Sequence, residues 1–188
     1  MTPARLFFAV DPPEAARTHL RLALDPVRAL PGAPRWTEPE RWHLTLLFLG
    51  AVPREVLPAL AAGAAPVVGA APPMRLRLAG AGRFGSLRRP SVAWAGVDGD
   101  VGALSALAGG LAGLARGLDL PVEDRPFRPH LTLGRWPPRR AADGTLTDRL
   151  AGYRGPAWPV GEVLLLESRL GAAPLYEVHH AYSMGAAL

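Results

Sequence analysis

The chain has 188 residues, 49% of them hydrophobic and 20% charged, the proportions of an ordinary globular protein with room for one domain or two small lobes sharing a core. It has no cysteine, which removes disulfides, thiolate catalysis and cysteine-based zinc sites. The formal net charge is +5 and the sequence pI about 10.8; every basic side chain other than histidine is arginine, which grips phosphate in bidentate fashion, although charge alone does not separate an enzyme from a passive nucleic-acid binder.

Residues 5–10 (RLFFAV) predict a buried strand ended by Asp11-Pro12-Pro13. That apolar run is too short for a signal peptide. Residues 14–30 carry Ala15, Leu20, Leu24, Val27 and Leu30 near one helical stripe, stopped by Pro31-Gly32. A strand over 43–49 is followed by a helix over 54–68, weakened by Pro58 and Gly63. The apolar stretch 56–73 is interrupted by Gly63, Pro66, Gly69, Pro72 and Pro73 and predicts no membrane span. Residues 74–79 (MRLRLA) alternate apolar and basic side chains, as a half-exposed strand does, and 91–97 predict another. A helix over 101–118 is softened by Gly109 and Gly110. Strands within 127–136, over 161–168 and over 176–184, with a short helix over 145–150, complete the chain.

This order lacks a long βα alternation and predicts an α+β fold of mostly antiparallel sheet with helices on the outer faces. Each half contains a long helix and then a strand bearing one and the same tetrapeptide. With no coiled coil or long exposed apolar stripe visible, a monomer is expected, and the expected location is the cytoplasm.

The tetrapeptide is His-Leu-Thr-Leu, at His43-Leu44-Thr45-Leu46 and again at His130-Leu131-Thr132-Leu133. Strand side chains alternate, so His and Thr share one face, roughly 6.5–7 Å apart, while the leucines anchor the other. A lone strand histidine is more often packed or solvated than catalytic, but such a residue would not require Thr two positions on, twice. Two such strands facing one another offer two imidazoles and two hydroxyls to one small group. A phosphodiester fits. One imidazole takes a proton from water on one side of phosphorus, the other protonates the departing alkoxide on the far side, and the hydroxyls donate to the non-bridging oxygens. Spacing does not decide which histidine does which. With Thr as companions rather than Glu, Asp or Cys, the pair is poor metal chemistry, and neither metal nor cofactor is expected.

At this point the sequence resembles the 2H phosphoesterases, and within them the bacterial RNA 2',3'-cyclic phosphodiesterases, also called 2'-5' RNA ligases. The resemblance extends through RLFFAVDPP, RWTEPERWHLTLLFLG, GRFGSLRRPSVAW, RPFRPHLTLGR and ESRLGAAPLYEV, nearly the whole chain. It implies a single two-lobed domain with pseudo-twofold symmetry and a central cleft. It also implies hydrolysis of a 2',3'-cyclic phosphate on RNA or a nucleotide to a 2'-phosphomonoester, with His43 as proton donor, His130 as proton acceptor, and Thr45 and Thr132 holding the phosphate. The family also carries an arginine five residues after the second His, here Arg135. Strict alternation sets Arg135 on the face opposite His130, so a bend near Gly134 is required. Arg128 has the right parity, but Pro129 interrupts the strand. Two positions depart from the family: Leu47 where Lys is frequent, and Gly85 where Phe84 is usually followed by Pro.

Other patterns carry less. Gly80-Ala81-Gly82-Arg83-Phe84-Gly85 matches G-x-G-x-x-G, but the Ser-Leu-Arg-Arg-Pro that follows opens no helix. Adjacent His179 and His180 point to opposite faces of a strand, His19 has no evident partner, and Trp36, Trp42 and Phe84 are read as packing residues. The competing functions are an RNA-binding module without turnover, and ligation of RNA ends by the reverse reaction.

Overall fold

The computed structural model describes residues 2–138, 144–169 and 175–185; residues 170–174 of the closing sequence block lie outside this range. Strand β1 (Ala4–Val10) leads into helix α1 (Glu14–Arg28), whose buried Ala16, Leu20, Leu24 and Val27 recur every three or four residues and form one apolar stripe. The helix ends two residues before the expected stop. Pro26, inside its last turn, has no N–H to donate, which weakens that turn.

A two-residue strand β2 (Arg35–Trp36) and a 3-10 turn (Pro39–Arg41) then deliver the chain to β3 (Leu44–Val52). After helix α2 (Leu57–Gly69) come β4 (Arg75–Gly85), β5 (Pro90–Gly99) and helix α3 (Val101–Gly117). The last elements are β6 (His130–Arg135), the short helix α4 (Thr145–Arg149), β7 (Trp158–Pro159), β8 (Glu162–Ser168) and β9 (Tyr176–Ser183).

The two residues read as weaknesses of α2 have specific places. Pro58 sits in the first turn of the helix, where its missing N–H is unneeded. Gly63 faces α3: a Cβ there would lie 2.5 Å from Leu114 Cδ1, so the glycine lets the two helices approach closely.

The strands form one antiparallel sheet in the order β7-β4-β5-β6-β3-β1-β8-β9, with β2 added to β6. The two motif strands, β3 and β6, are its central neighbours. Helices α1 and α4 pack against β4, while α3 packs against β3 and α2 against β9, so the helix preceding each motif strand covers the opposite half of the sheet. Beneath them lies the main core, including Leu6, Phe8, Leu44, Leu76, Leu78, Leu131 and Leu133. Among the described residues, the curled opposite face holds a small apolar cluster of Phe7, Ala9, Leu164 and Leu166, with Tyr176 packed against it.

The structure departs from periodicity where the chain is irregular. β3 continues through Gly50, whose φ is +68°, and β4 continues through Gly80, at φ +64°, so the Gly-x-Gly run is strand and no helix opens there. β2 and β7 are too short to show any period. Among the described residues no helix is long and apolar enough to cross a membrane.

One register irregularity matters for the site. Along β5, Val92, Ala93, Trp94, Ala95 and Gly96 pair in turn with Arg135, Gly134, Thr132, Leu131 and His130, leaving Leu133 as an extra residue in β6. At that bulge a Cβ on Gly134 would sit 2.5 Å from the backbone oxygen of Arg35. Gly134→Ala is therefore expected to lower stability by about 1–3 kcal/mol, because the obstruction is backbone and cannot rotate away. Urea unfolding checks this; an unchanged midpoint would show that β2 moves aside freely.

Candidate active site

β3 and β6 meet at one register pair, Leu44 opposite Leu131, the second position of each tetrapeptide. An antiparallel pair centred there sets the first position of each motif across from the third of the other, His43 toward Thr132 and Thr45 toward His130. Both leucines at each motif are buried and both threonines partly exposed, as alternation requires. His130 is the first residue of β6, whereas His43 is the residue before β3. Trp42, 1% exposed and donating its indole N–H to the Thr37 carbonyl at 3.1 Å, locks the chain just upstream.

The two imidazoles are oriented in the same way. His43 Nδ1 lies 2.9 Å from the Arg41 carbonyl oxygen, and His130 Nδ1 lies 2.7 Å from the Arg128 carbonyl oxygen. A carbonyl only accepts, so each ring donates from Nδ1, and Nε2 is the nitrogen left for chemistry. This carbonyl two residues upstream of each histidine is not a side-chain signal, and no residue pattern announces it.

Aromatic neighbours give the two rings different surroundings. His43 is flanked by Phe7, with centroids 5.0 Å apart, and by Tyr176, edge-on at 5.3 Å. His130 meets Phe84 edge-on at 4.9 Å, so Phe84, read as a packing residue, packs on the site itself. Desolvation lowers the His43 pKa from 6.5 to about 4; the Arg41 carbonyl opposes that shift, and the positive charges of Arg17 and His130 add to it. Arg17, on α1, pairs with Asp11 at 3.3 Å and donates from Nε to the Pro12 carbonyl at 2.9 Å. Burial raises the Asp11 carboxyl above its usual range, and Arg17 partly offsets this. Arg17 is not flagged by the motif logic, because it acts on His43 from the start of α1, held there by Asp11 just after β1.

The bulge at Leu133 decides the position of Arg135. β5 has no extra residue between Val92 and Gly96, so Val92, Trp94 and Gly96 share one face, and their partners Arg135, Thr132 and His130 share it too. The local bend required by the sequence is thus a one-residue insertion, and it restores Arg135 to the histidine face. Arg128 falls outside β6; its carbonyl orients His130 and its exposed side chain lines a cleft of about 640 Å³ that also borders Thr45, Phe84 and His130.

The remaining candidates have other duties. His19 does have a partner, the Tyr153 hydroxyl at 3.2 Å. His179 contacts the buried Glu167 carboxylate at 2.6 Å, while His180 stacks at 4.6 Å from Tyr182. Trp36 donates to the Arg28 carbonyl at 3.0 Å, a packing role like that of Trp42. Gly85 has φ +81°, a conformation closed to proline.

With a half-barrel sheet that presents paired His-x-Thr units, the fold and site define a 2H phosphoesterase. A model of the 2'-5' RNA ligase superfamily matches residues 10–172, and the chain belongs to that superfamily. It is 36% identical over 188 residues to the RNA 2',3'-cyclic phosphodiesterase of Thermus thermophilus, covering 96% of this chain and 90% of that protein. A protein of the same name from Methanothermobacter thermautotrophicus is 30% identical over 181 residues, covering 92% and 94%. Among solved structures, a Thermus thermophilus protein superposes with a TM-score of 0.78 at 35% identity, covering 95% of this chain and 97% of its own. Escherichia coli LigT complexed with 3'-AMP superposes with a TM-score of 0.77 at 28% identity, covering 97% and 98%.

Proposed function

We propose that this chain hydrolyses 2',3'-cyclic phosphates, on RNA ends or nucleotides, to 2'-phosphomonoesters, with His43 and His130 as a metal-free acid–base pair. The observation that carries the reading is the matched pinning of both Nδ1 atoms by backbone carbonyls, which presents two Nε2 atoms at the starts of adjoining central strands. The relatives named RNA 2',3'-cyclic phosphodiesterase support the substrate class.

In the proposed step a water attacks phosphorus in line with the 3' oxygen. His130 takes the proton that water loses, the bond from phosphorus to the 3' oxygen breaks, and His43 gives that oxygen a proton. Thr45 and Thr132 donate hydrogen bonds to the non-bridging oxygens, and Arg135, with Arg128 at the cleft, offsets their negative charge. Imidazoles move the protons and hydroxyls and guanidinium stabilise charge, so the step is complete without a Lewis acid.

The lowered His43 pKa favours a second assignment with the roles exchanged. At pH 7 a group titrating at about 4 is neutral and ready to accept a proton. As donor, His43 must gain its proton when the anionic phosphate binds and supplies the counter-charge missing from the free protein. A substrate with sulfur in place of the 3' oxygen separates the two, because a thiolate leaves without a proton. The variant lacking the donor regains activity on that substrate, and the variant lacking the acceptor does not.

Incubation with a 2',3'-cyclic nucleotide in excess chelator tests the proposal as a whole. Conversion to the 2'-phosphate is the expected result. Binding without product would make the chain an RNA-binding module, and activity that returned only with a divalent ion would remove the metal-free step.

A further inference from the structure

The geometry points to a subsite for the phosphates of an RNA strand 5' of the cyclic end, built by Arg116 and Arg125 with Phe48 as a base platform, which makes an oligonucleotide a better substrate than a mononucleotide. This inference rests on the hydrolytic reading above and names its substrate more narrowly.

The cleft beside His130 continues past Thr45 and Phe84 to Phe48 on β3, and across it lie Arg116, in the last turn of α3, and Arg125. Arg116 is exposed and has no side-chain partner among the described residues. Arg125 pairs with Glu123 at 3.2 Å, but their side chains are 77% and 68% exposed, so water screens the pair and a phosphate can displace it. Phe48 is a large apolar side chain left 47% exposed, with the Arg5 guanidinium 5.6 Å from its ring centroid.

Cationic side chains along one wall and an exposed aromatic on the other are the two components of single-strand binding: one tracks the backbone and the other stacks a base. A cyclic mononucleotide has a single phosphate, and the two histidines, two threonines and Arg135 occupy themselves with it. A 2',3'-cyclic phosphate is by its chemistry a 3' end, so RNA extends from it only in the 5' direction, adding one anion per nucleotide. Those anions are what Arg116 and Arg125 are placed to meet.

The test compares kcat/KM for a cyclic mononucleotide and for a tetranucleotide ending in the same cyclic nucleotide, in wild type and in the Arg116→Ala/Arg125→Ala double variant. The double variant is expected to lose about tenfold or more on the tetranucleotide while keeping its mononucleotide rate within about twofold. Binding of the tetranucleotide 2'-phosphate, followed by fluorescence anisotropy across salt, is expected to show a log–log slope shallower by about 1.4, roughly 0.7 for each lost contact. Phe48→Ala is expected to weaken that binding by about tenfold. Equal losses on both substrates, or none, overturn the subsite. If wild type turns over neither substrate, the hydrolytic reading falls; anisotropy still reports on the arginines, and a double variant that binds like wild type then overturns the subsite as well.

Discussion

Alanine at His43 or at His130 is expected to lower kcat on a 2',3'-cyclic phosphate by about 10²–10⁴-fold, the usual contribution of a positioned proton-transfer group. Each ring is held by a hydrogen bond to the backbone two residues upstream, and neither imidazole belongs to the main core, so the folded state should persist. The two losses should not add. Once one proton transfer is missing, the in-line step no longer benefits fully from the other, and the double variant should fall close to the worse single one. Single-turnover rates with circular dichroism on the same samples check this. Near-wild-type rates in both single variants would remove the paired mechanism. A loss in only one would assign a general acid or base to that strand and leave the second His-x-Thr unit with a binding role.

Acidification should destabilise the protein through His43. Its folded-state pKa, about 4, lies below the ordinary 6.5. Between those values the unfolded chain binds a proton that the folded chain refuses, so unfolding free energy rises with pH across this window. The contribution is present in full above pH 6.5 and is lost as pH falls toward 4, on the order of 3 kcal/mol in all. Glu167 also titrates in the acid range, its carboxyl lowered by the His179 hydrogen bond and by Arg54, so wild type alone does not isolate the effect. The difference between wild type and His43→Gln does. Urea midpoints measured from about pH 4 to 7.5 are expected to converge toward the acid end. Parallel curves would show that Phe7 and Tyr176 leave His43 open to water.

The same burial bears on catalysis. A ring pressed between Phe7 and Tyr176 holds a proton poorly in the free protein, so under the proposed donor role the ionisation of His43 is coupled to substrate binding. Among the described residues, Phe84 is the aromatic ring against His130, edge-on, and the pairing of β5 with β6 places Thr132 and Arg135 on the same face. The two tetrapeptides are identical, yet their environments differ. Any division of labour between them comes from what packs around them.

Much of this protein was legible in its residue order. Two His-Leu-Thr-Leu units, with apolar residues at alternate positions, define two strands, set each imidazole beside a hydroxyl and bury the leucines behind. That pattern is local, since alternation along a strand depends on backbone geometry alone, and the same holds for the stripe of α1. What required the tertiary structure were features set by contacts distant in sequence. Leu44 pairs with Leu131 across 87 positions of chain, bringing the motifs together as central neighbours. The extra residue at Leu133 appears only against the unbroken run of β5, and it alone carries Arg135 to the histidine face. The carbonyls of Arg41 and Arg128 that fix both rings, and the burial that lowers His43, belong to backbone and neighbours rather than to any side-chain pattern. Periodicity records which way a side chain points along its own strand; register, bulges and desolvation exist only between strands.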